Sequence, residues 1–353
     1  MYLPSIVLAR LSNIHVNIFI ILMGIIAIIY SYTGGIKSVL WTDFIQGVVL
    51  IVGVVGTLVF IGLKVNGGFP EIFNTLFEQG KFLSSNEVIF DPNILKTSIF
   101  MILVGGGLNT FSSYISSQDV VQRFTTTTDI KQLNRMTYTN GILSIVVATL
   151  FYLIGTALFV FYRQNPELLM TAQQDQIYAS FIAYQLPAGV TGILLAAIYA
   201  ASQSTLSTGL NSVATSWTLD IQNFITKDLS FKKQTKIAQL ISLLVGIISI
   251  VVSIILASSE IKSAYEWFNG FIGAVLGVLA GIFVLGVVYK KATKLGAYVG
   301  FIVATIVVLA LKYKLLNVDV SIWAYSLITI VVTVVVGIIV SLFSKEKNEY
   351  NTN

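Results

Sequence analysis

By length alone, a chain of 353 residues would suggest two or three soluble domains. A composition of 56% hydrophobic and only 10% charged residues, with a mean hydropathy of +0.85, excludes that and marks an integral membrane protein. The absence of cysteine removes disulfides, thiolate chemistry and cysteine metal sites, and the net charge of +5 forms no basic, aromatic-interleaved patch of the nucleic-acid kind.

The chain opens on Met1-Tyr-Leu-Pro-Ser-Ile-Val-Leu-Ala-Arg10, which has neither the basic start nor the small-residue cleavage site of a signal peptide. It reads as the last turns of an apolar helix whose beginning is absent, so the chain is expected to be a fragment. His15 has no partner pattern and reads as a loop residue at a membrane surface. Apolar runs of about 18–25 residues signal membrane spans. Nine complete ones follow: Val16–Thr33, Leu40–Leu63, Ile94–Ser116, Asn140–Tyr162, Pro187–Leu219, Ile237–Ala257, Tyr265–Val288, Leu295–Leu311 and Ser321–Phe343. The connections are short apart from two longer loops, Val65–Pro92 and Arg163–Leu186. The spans form one transmembrane domain, residues 1–343, followed by a tail at 344–353.

Orientation follows from lysine and arginine, which concentrate on the cytoplasmic side. One set of span ends carries Lys37, Arg123, Lys131, Arg135, Lys227, Lys232, Lys233, Lys236, Lys290, Lys291, Lys294, Lys345 and Lys347. The opposite set carries fewer, diluted by Glu71, Glu78, Glu87, Asp91, Glu167 and Asp175. The first set is therefore cytoplasmic, the first complete span runs inward, and the C-terminal tail is inside. Trp41 and Trp217 fall near cytoplasmic span ends and read as interfacial anchors.

Three stretches carry polar residues at membrane depth, where they are costly. Asp43 enters the second span after the glycine hinge Gly34-Gly35, with Gln46 three residues on. It fits either a carboxylate complementing the helix dipole or a cation ligand. Gly105-Gly106-Gly107, followed by Leu108, Asn109 and Thr110, weakens its helix by roughly 1 kcal/mol per glycine relative to alanine. Either an unwound helix exposing backbone to a substrate or close helix packing fits the triplet. From Leu186 to Asp220 the chain places Ser202, Gln203, Ser204, Thr205, Ser207, Thr208, Asn211 and Ser212 in one span. At about 100° per residue, Ala201, Ser204, Thr208 and Asn211 lie close to one line, flanked by Ser207 and Thr205. Such a strip of oxygens suits a hard cation, though hydroxyls in membrane helices also bond back to their own carbonyls. Asn269 is a lone amide near the start of the seventh span. The run Gln118-Asp-Val-Val-Gln-Arg-Phe124 fits a gate or an ordinary solvated helix end. No His/Asp/Ser constellation, HExxH pair, Walker loop or midplane carboxylate pair is present, so the chain does not read as an enzyme. A transporter, a channel and an intramembrane enzyme are the classes the residues leave, and the lack of a repeated pore signature lowers the channel.

Three blocks in order resemble the sodium:solute symporter family: Gly34-Gly-Ile-Lys-Ser-Val-Leu-Trp-Thr-Asp-Phe-Ile-Gln46, Ser117-Gln-Asp-Val-Val-Gln-Arg123, and Leu186-Pro-Ala-Gly with Ala200-Ala-Ser-Gln-Ser-Thr-Leu-Ser-Thr-Gly-Leu-Asn-Ser212. Lys64-Val-Asn-Gly-Gly-Phe-Pro-Glu-Ile-Phe73, Tyr162-Arg-Gln-Asn-Pro-Glu167 and Trp267-Phe-Asn-Gly270 look most like its bacterial sialic-acid branch. The resemblance implies an all-α membrane protein of the LeuT-like inverted-repeat fold, with about nine complete helices plus the end of a truncated one. It implies a multi-pass plasma-membrane symporter that uses sodium to import a small polar, anionic solute, with sialic acid the expected substrate. Proline, pantothenate, a monocarboxylate or a sugar are the alternative substrates, and an inactive remnant of a truncated gene is the alternative of another class.

Residue by residue, the resemblance assigns the main sodium ion to Ala201, through its carbonyl, with Ser204 and Thr205. It assigns a second sodium to Asp43, Ser207 and Thr208, and the solute to Thr110, Ser113, Tyr114 and Asn269. Ser113 stands where sugar-transporting relatives put an aromatic gate, which disfavours glucose or galactose. The partners implied are the solute, sodium ions and the lipid bilayer, with no nucleic acid and no obligate protein partner. The family's outer helix and most of three core helices would precede Met1, with other sodium ligands and an arginine for the substrate carboxylate. Residues 1–353 alone are therefore expected not to support coupled transport.

Overall fold

The structure is a computed structural model, and it describes residues 1–12, 14–33, 36–79, 89–93, 95–125, 127–170, 174–226, 229–259 and 264–344. In chain order the α-helices are α1 (Tyr2–Ser12), α2 (Val16–Thr33), α3 (Ile36–Lys64), α4 (Gly68–Glu78), α5 (Ile99–Ser116), α6 (Gln118–Phe124), α7 (Ile130–Gln164), α8 (Gln174–Tyr184), α9 (Ala188–Ser216), α10 (Asn223–Ile225), α11 (Phe231–Ala257), α12 (Ala264–Val288), α13 (Lys294–Lys312) and α14 (Ala324–Phe343). A π-helical segment, Trp217–Gln222, continues α9, and no strand occurs among the described residues. Each of the nine spans expected from hydropathy falls on a helix. Among the described residues eight are long and apolar enough to cross a membrane, while the apolar part of α2, Val16–Ile29, is shorter.

The two stretches expected as long loops instead carry short helices. Gly67 (φ 89°) and Gly68 (φ 64°) adopt the left-handed backbone that glycine permits, and the turn they make starts α4. That helix of 11 residues is too short to span; it buries Ile72, Thr75 and Leu76 and leaves Phe77 exposed. α8 contributes Phe181 and Ile182, both fully buried. Phe181 packs edge-on against Phe161 at 5.2 Å and against Phe60 and Tyr162 at 6.3 Å. Hydropathy windows of span length pass over both helices because each has only 11 residues.

The chain divides into two compact units, Met1–Phe82 with Thr126–Lys262, and Leu83–Thr125 with Ser263–Asn353. In the first unit α2 and α11 pack antiparallel through two reciprocal knobs. A Cβ on Gly24 would lie 2.3 Å from Ile250, and one on Gly246 would lie 2.4 Å from Ile28. Each helix thus offers a glycine and, four residues on, the isoleucine that fills the partner's notch, the small-residue packing on which membrane helices rely. α2 runs parallel to α9, because Gln203 Nε2 donates to the Met23 carbonyl at 3.0 Å and Ser31 Oγ donates to Asn211 Oδ1 at 3.1 Å. α3 and α7 end together, where the Asn66 amide and the Gln164 side chain exchange two hydrogen bonds of 2.9 and 3.2 Å.

In the second unit α14 is central. Glycines 273, 277 and 281 of α12 face Tyr325, Ser326, Thr329 and Thr333 in parallel register, and glycines 296 and 300 of α13 face Ser341, Gly337 and Thr333 in antiparallel register. Ser326, Thr329 and Thr333 are fully buried; Thr329 donates to the Tyr325 carbonyl at 2.8 Å and Thr333 to the Thr329 carbonyl at 2.7 Å. Their polar atoms are satisfied within the bundle, as a lipid environment demands. These parallel and antiparallel pairs agree, within each unit, with the alternating directions expected of the nine spans. Ile18, Val52 and Ile247 leave apolar faces exposed on helices of the first unit, as lipid-facing surfaces require.

Candidate ion and solute sites

The hydroxyl strip lies on α9, within the first unit. Thr205 Oγ1 donates to the Ala201 carbonyl at 2.9 Å, Ser207 Oγ to the Ser204 carbonyl at 3.0 Å and Ser202 Oγ to the Ile198 carbonyl at 2.7 Å. The bonding of hydroxyls back along the helix is therefore present, and it uses their hydrogens. Their lone pairs remain, and the Ala201 and Thr205 oxygens are close enough to be neighbours in one coordination shell. Ser204 and Ala201 are half-buried, Thr205 is exposed and Ser207 is fully buried.

Thr208 behaves differently. Its hydroxyl oxygen is buried without a hydrogen-bond partner, as is that of Ser212 one turn further on. A buried, unsatisfied hydroxyl costs on the order of 1–3 kcal/mol, so each oxygen calls for a water or a cation. Thr208 and Ser212 fall within about 20° of Ala201 around the helix. Asn211, placed on the same strip by periodicity, instead accepts from Ser31 and serves packing.

Asp43 lies on α3, and its side chain, like Gly34 and Gly35, is outside the described residues. Its level can still be read from the backbone. A Cβ on Gly53 would lie 2.5 Å from Leu194, and Phe60, two turns later, packs against Phe181 of α8, the helix leading into α9, with ring centroids 6.3 Å apart. α3 and α9 are therefore antiparallel, and counting back from Gly53 brings Asp43 level with Ser204. Gln46 Oε1, one turn from Asp43, is buried and unpartnered.

The residues assigned to the solute lie in the second unit. α5 is an unbroken α-helix through Gly105, Gly106 and Gly107, so the unwound form of the triplet is not what the structure shows. Gly105 makes room for a neighbouring backbone, since a Cβ there would sit 2.1 Å from the Trp323 carbonyl oxygen. Gly107 has nothing within 4 Å. Thr110 is exposed and donates to the Gly106 carbonyl at 3.0 Å. The Ser113 carbonyl accepts the Ser117 amide at 3.0 Å where α5 breaks into α6. Tyr114 and Phe124 have ring centroids 6.3 Å apart. Asn269 donates to the Tyr265 carbonyl at 2.9 Å.

Periodicity gave no role to Asn109. Its side-chain oxygen accepts from the Ser326 hydroxyl, and its nitrogen donates to the Asn269 carbonyl at 3.4 Å. Its partners are 217 and 160 residues away, so only the burial of an amide in an apolar span could have flagged it.

Residues 5–304 match the model of the sodium:solute symporter family. The chain belongs to that family. It is 35% identical over 349 residues to the sodium/sialic acid symporter SiaT of Proteus mirabilis, covering 98% of this chain and 69% of that protein. It is 32% identical over 337 residues to the sodium/sialic acid symporter NanT of Aliivibrio fischeri, covering 95% and 66%. It thus spans about two thirds of the length of these relatives. A solved structure of a Na+-coupled sialic acid symporter, in a substrate-bound outward-open state, superposes with a TM-score of 0.88 at 33% identity over 99% of this chain and 71% of that one. The chain is a multi-pass membrane protein of the LeuT-like symporter fold, and sodium is the ion of its family.

Proposed function

We propose that the protein imports sialic acid (N-acetylneuraminate) with sodium across the plasma membrane, and that transport rather than catalysis is its activity. The observation that carries this reading is the likeness, at 35% and 32% identity over nearly the whole chain, to two sodium/sialic acid symporters. Residues 1–343 belong to one transporter domain, with the tail 344–353 in the cytoplasm.

In this reading the carbonyl of Ala201 and the hydroxyls of Ser204 and Thr205 hold the main sodium ion. Neutral oxygens suit an alkali ion, which needs a shell of dipoles rather than charge. Asp43, Ser207 and Thr208 hold a second sodium; the shared level of Asp43 and Ser204 and the unpartnered Thr208 oxygen support that assignment. Thr110, Ser113, Tyr114 and Asn269 face the solute. Coupling requires that sodium bind one state better than the other, since a ligand with equal affinities shifts nothing. Sodium favours the outward-open state, solute binding lets the protein reclose around both, and both leave to the cytoplasm.

The test is a binding panel of sialic acid, proline, pantothenate, a monocarboxylate and glucose on the purified full-length protein, with sodium and with potassium. Sodium-dependent binding of sialic acid alone is expected. Binding of another member of the panel in its place overturns the substrate, and binding independent of sodium overturns the coupling.

A further inference from the structure

Asn109 is buried on α5, one turn beyond Gly105, and reaches the two neighbouring helices of its unit. The Ser326 hydroxyl of α14 donates to its side-chain oxygen. Its amide nitrogen donates to the backbone carbonyl of Asn269 on α12 at 3.4 Å. Gly273, one turn beyond Asn269, leaves space for this approach; a Cβ there would sit 3.2 Å from Asn109 Oδ1. The local backbones are also in close contact, with Gly105 against the Trp323 carbonyl and Thr329 Oγ1, whose hydrogen goes to the Tyr325 carbonyl, lying 3.2 Å from the Gly273 carbonyl oxygen. An apolar residue would fill the same volume. A carboxamide adds direction, because its donor and acceptor are fixed about 120° apart on one planar group and both are used here.

The residues on either side of this junction differ in exposure. Thr110 follows Asn109 in sequence and is exposed, and the Asn269 side chain is half-buried while its carbonyl is held from behind. We propose that Asn109 is a positioning residue, which fixes the start of α12 against α5 and so sets Asn269 relative to Thr110 without touching the solute itself. The inference rests on the reading of Thr110 and Asn269 as solute contacts. It predicts that the solute's affinity depends on a side chain outside the solute's reach.

The test uses Asn109→Asp and Asn109→Ser in the full-length protein. Asp keeps the shape and the acceptor for Ser326 but removes the donor to Asn269; Ser removes most of the reach without adding charge. The first readout is independent of transport. Residues 1–353 hold no cysteine, so Asn269→Cys, made in a background freed of any other cysteine, introduces a single thiol while keeping the backbone carbonyl that Asn109 holds. Its rate of reaction with a charged methanethiosulfonate is expected to change by about fivefold with either Asn109 substitution, the factor one hydrogen bond of ordinary net strength carries. Rates within twofold of the Asn109 parent overturn the proposal.

The second readout is uptake, where KM for sialic acid is expected to rise with half-saturating sodium unchanged. A residue that only held the fold would lower the maximal rate and the protein level and leave KM alone, and that pattern also overturns the proposal. If the unsubstituted protein takes up no sialic acid, the substrate reading fails, and the thiol rates still decide the role of Asn109. Should Asn109→Asp fail to reach the membrane, Asn109→Ser decides both readouts.

Discussion

The hydroxyl of Thr205 donates its hydrogen to the carbonyl of Ala201 at 2.9 Å, one turn back on α9. This pairing turns both oxygens toward the same side of the helix, where one ion can meet them together. Thr205→Ala removes one of the two oxygens and leaves an apolar methyl. The lost back-bond is exposed and contributes about 0.5–1.5 kcal/mol at most, so folding is expected to survive. Half-saturating sodium for uptake is expected to rise by about tenfold, which is 1.4 kcal/mol of lost ion binding. Thr205→Ser, which keeps the hydroxyl, is expected to stay close to the unsubstituted curve. An unchanged sodium activation curve in Thr205→Ala would remove Thr205 from the ion site.

Asp43→Asn tests the second ion. The substitution keeps the shape and removes the charge that an extra cation needs. The number of sodium ions moved per solute is expected to fall by one, as read from the reversal potential of coupled current in proteoliposomes. An unchanged ratio would leave Asp43 a helix N-terminal carboxylate and nothing more.

Much of the fold was legible because a bilayer imposes so few solutions. Long apolar runs gave nine helices, and the lysine asymmetry gave alternating directions that the pairs Met23–Gln203, Gly24–Ile250 and Gly273–Tyr325 bear out within each unit. What the sequence concealed depends on partners far along the chain. Gly24 and Gly246 carry no sign of the isoleucines that fill them, and Asn109 carries none of Ser326. The triplet Gly105-Gly106-Gly107 was ambiguous for a physical reason, since the same lack of side chain permits an unwound turn or a close neighbour. The structure shows the neighbour, Trp323, pressed against Gly105, in ordinary contact at Gly106 and out of reach of Gly107. The residues proposed for sodium and solute came from resemblance of motif, and chemistry alone left their back-bonding alternative open.

The glycine triplet can be tested residue by residue. Gly105→Ala would place a methyl 2.1 Å from the Trp323 carbonyl, a backbone atom that cannot rotate away. A loss of about 1–3 kcal/mol is expected from overpacking. Gly107→Ala meets nothing within 4 Å and is expected to be neutral or stabilising by up to about 1 kcal/mol through helix propensity. Thermal unfolding in detergent reads both, and equal effects at the two positions would contradict the packing described for α5.

The reciprocal knobs of α2 and α11 offer a compensation experiment. Gly246→Ala drives a methyl into Ile28, with the nearest carbon at 2.4 Å, and is expected to lower the melting temperature. Ile28→Ala in the same chain vacates that volume and is expected to recover a large part of the loss, a coupling of about 0.5–3 kcal/mol between residues in contact. Additive losses in the double variant would place the two side chains out of contact.

Sodium-driven accumulation tests the central claim most directly. Full-length protein in proteoliposomes is given labelled N-acetylneuraminate under an inward sodium gradient and, in parallel, an inward potassium gradient. Accumulation above the external concentration is expected with sodium and not with potassium. Equal uptake under the two gradients, or none with sodium by protein that is folded and inserted, would contradict the account.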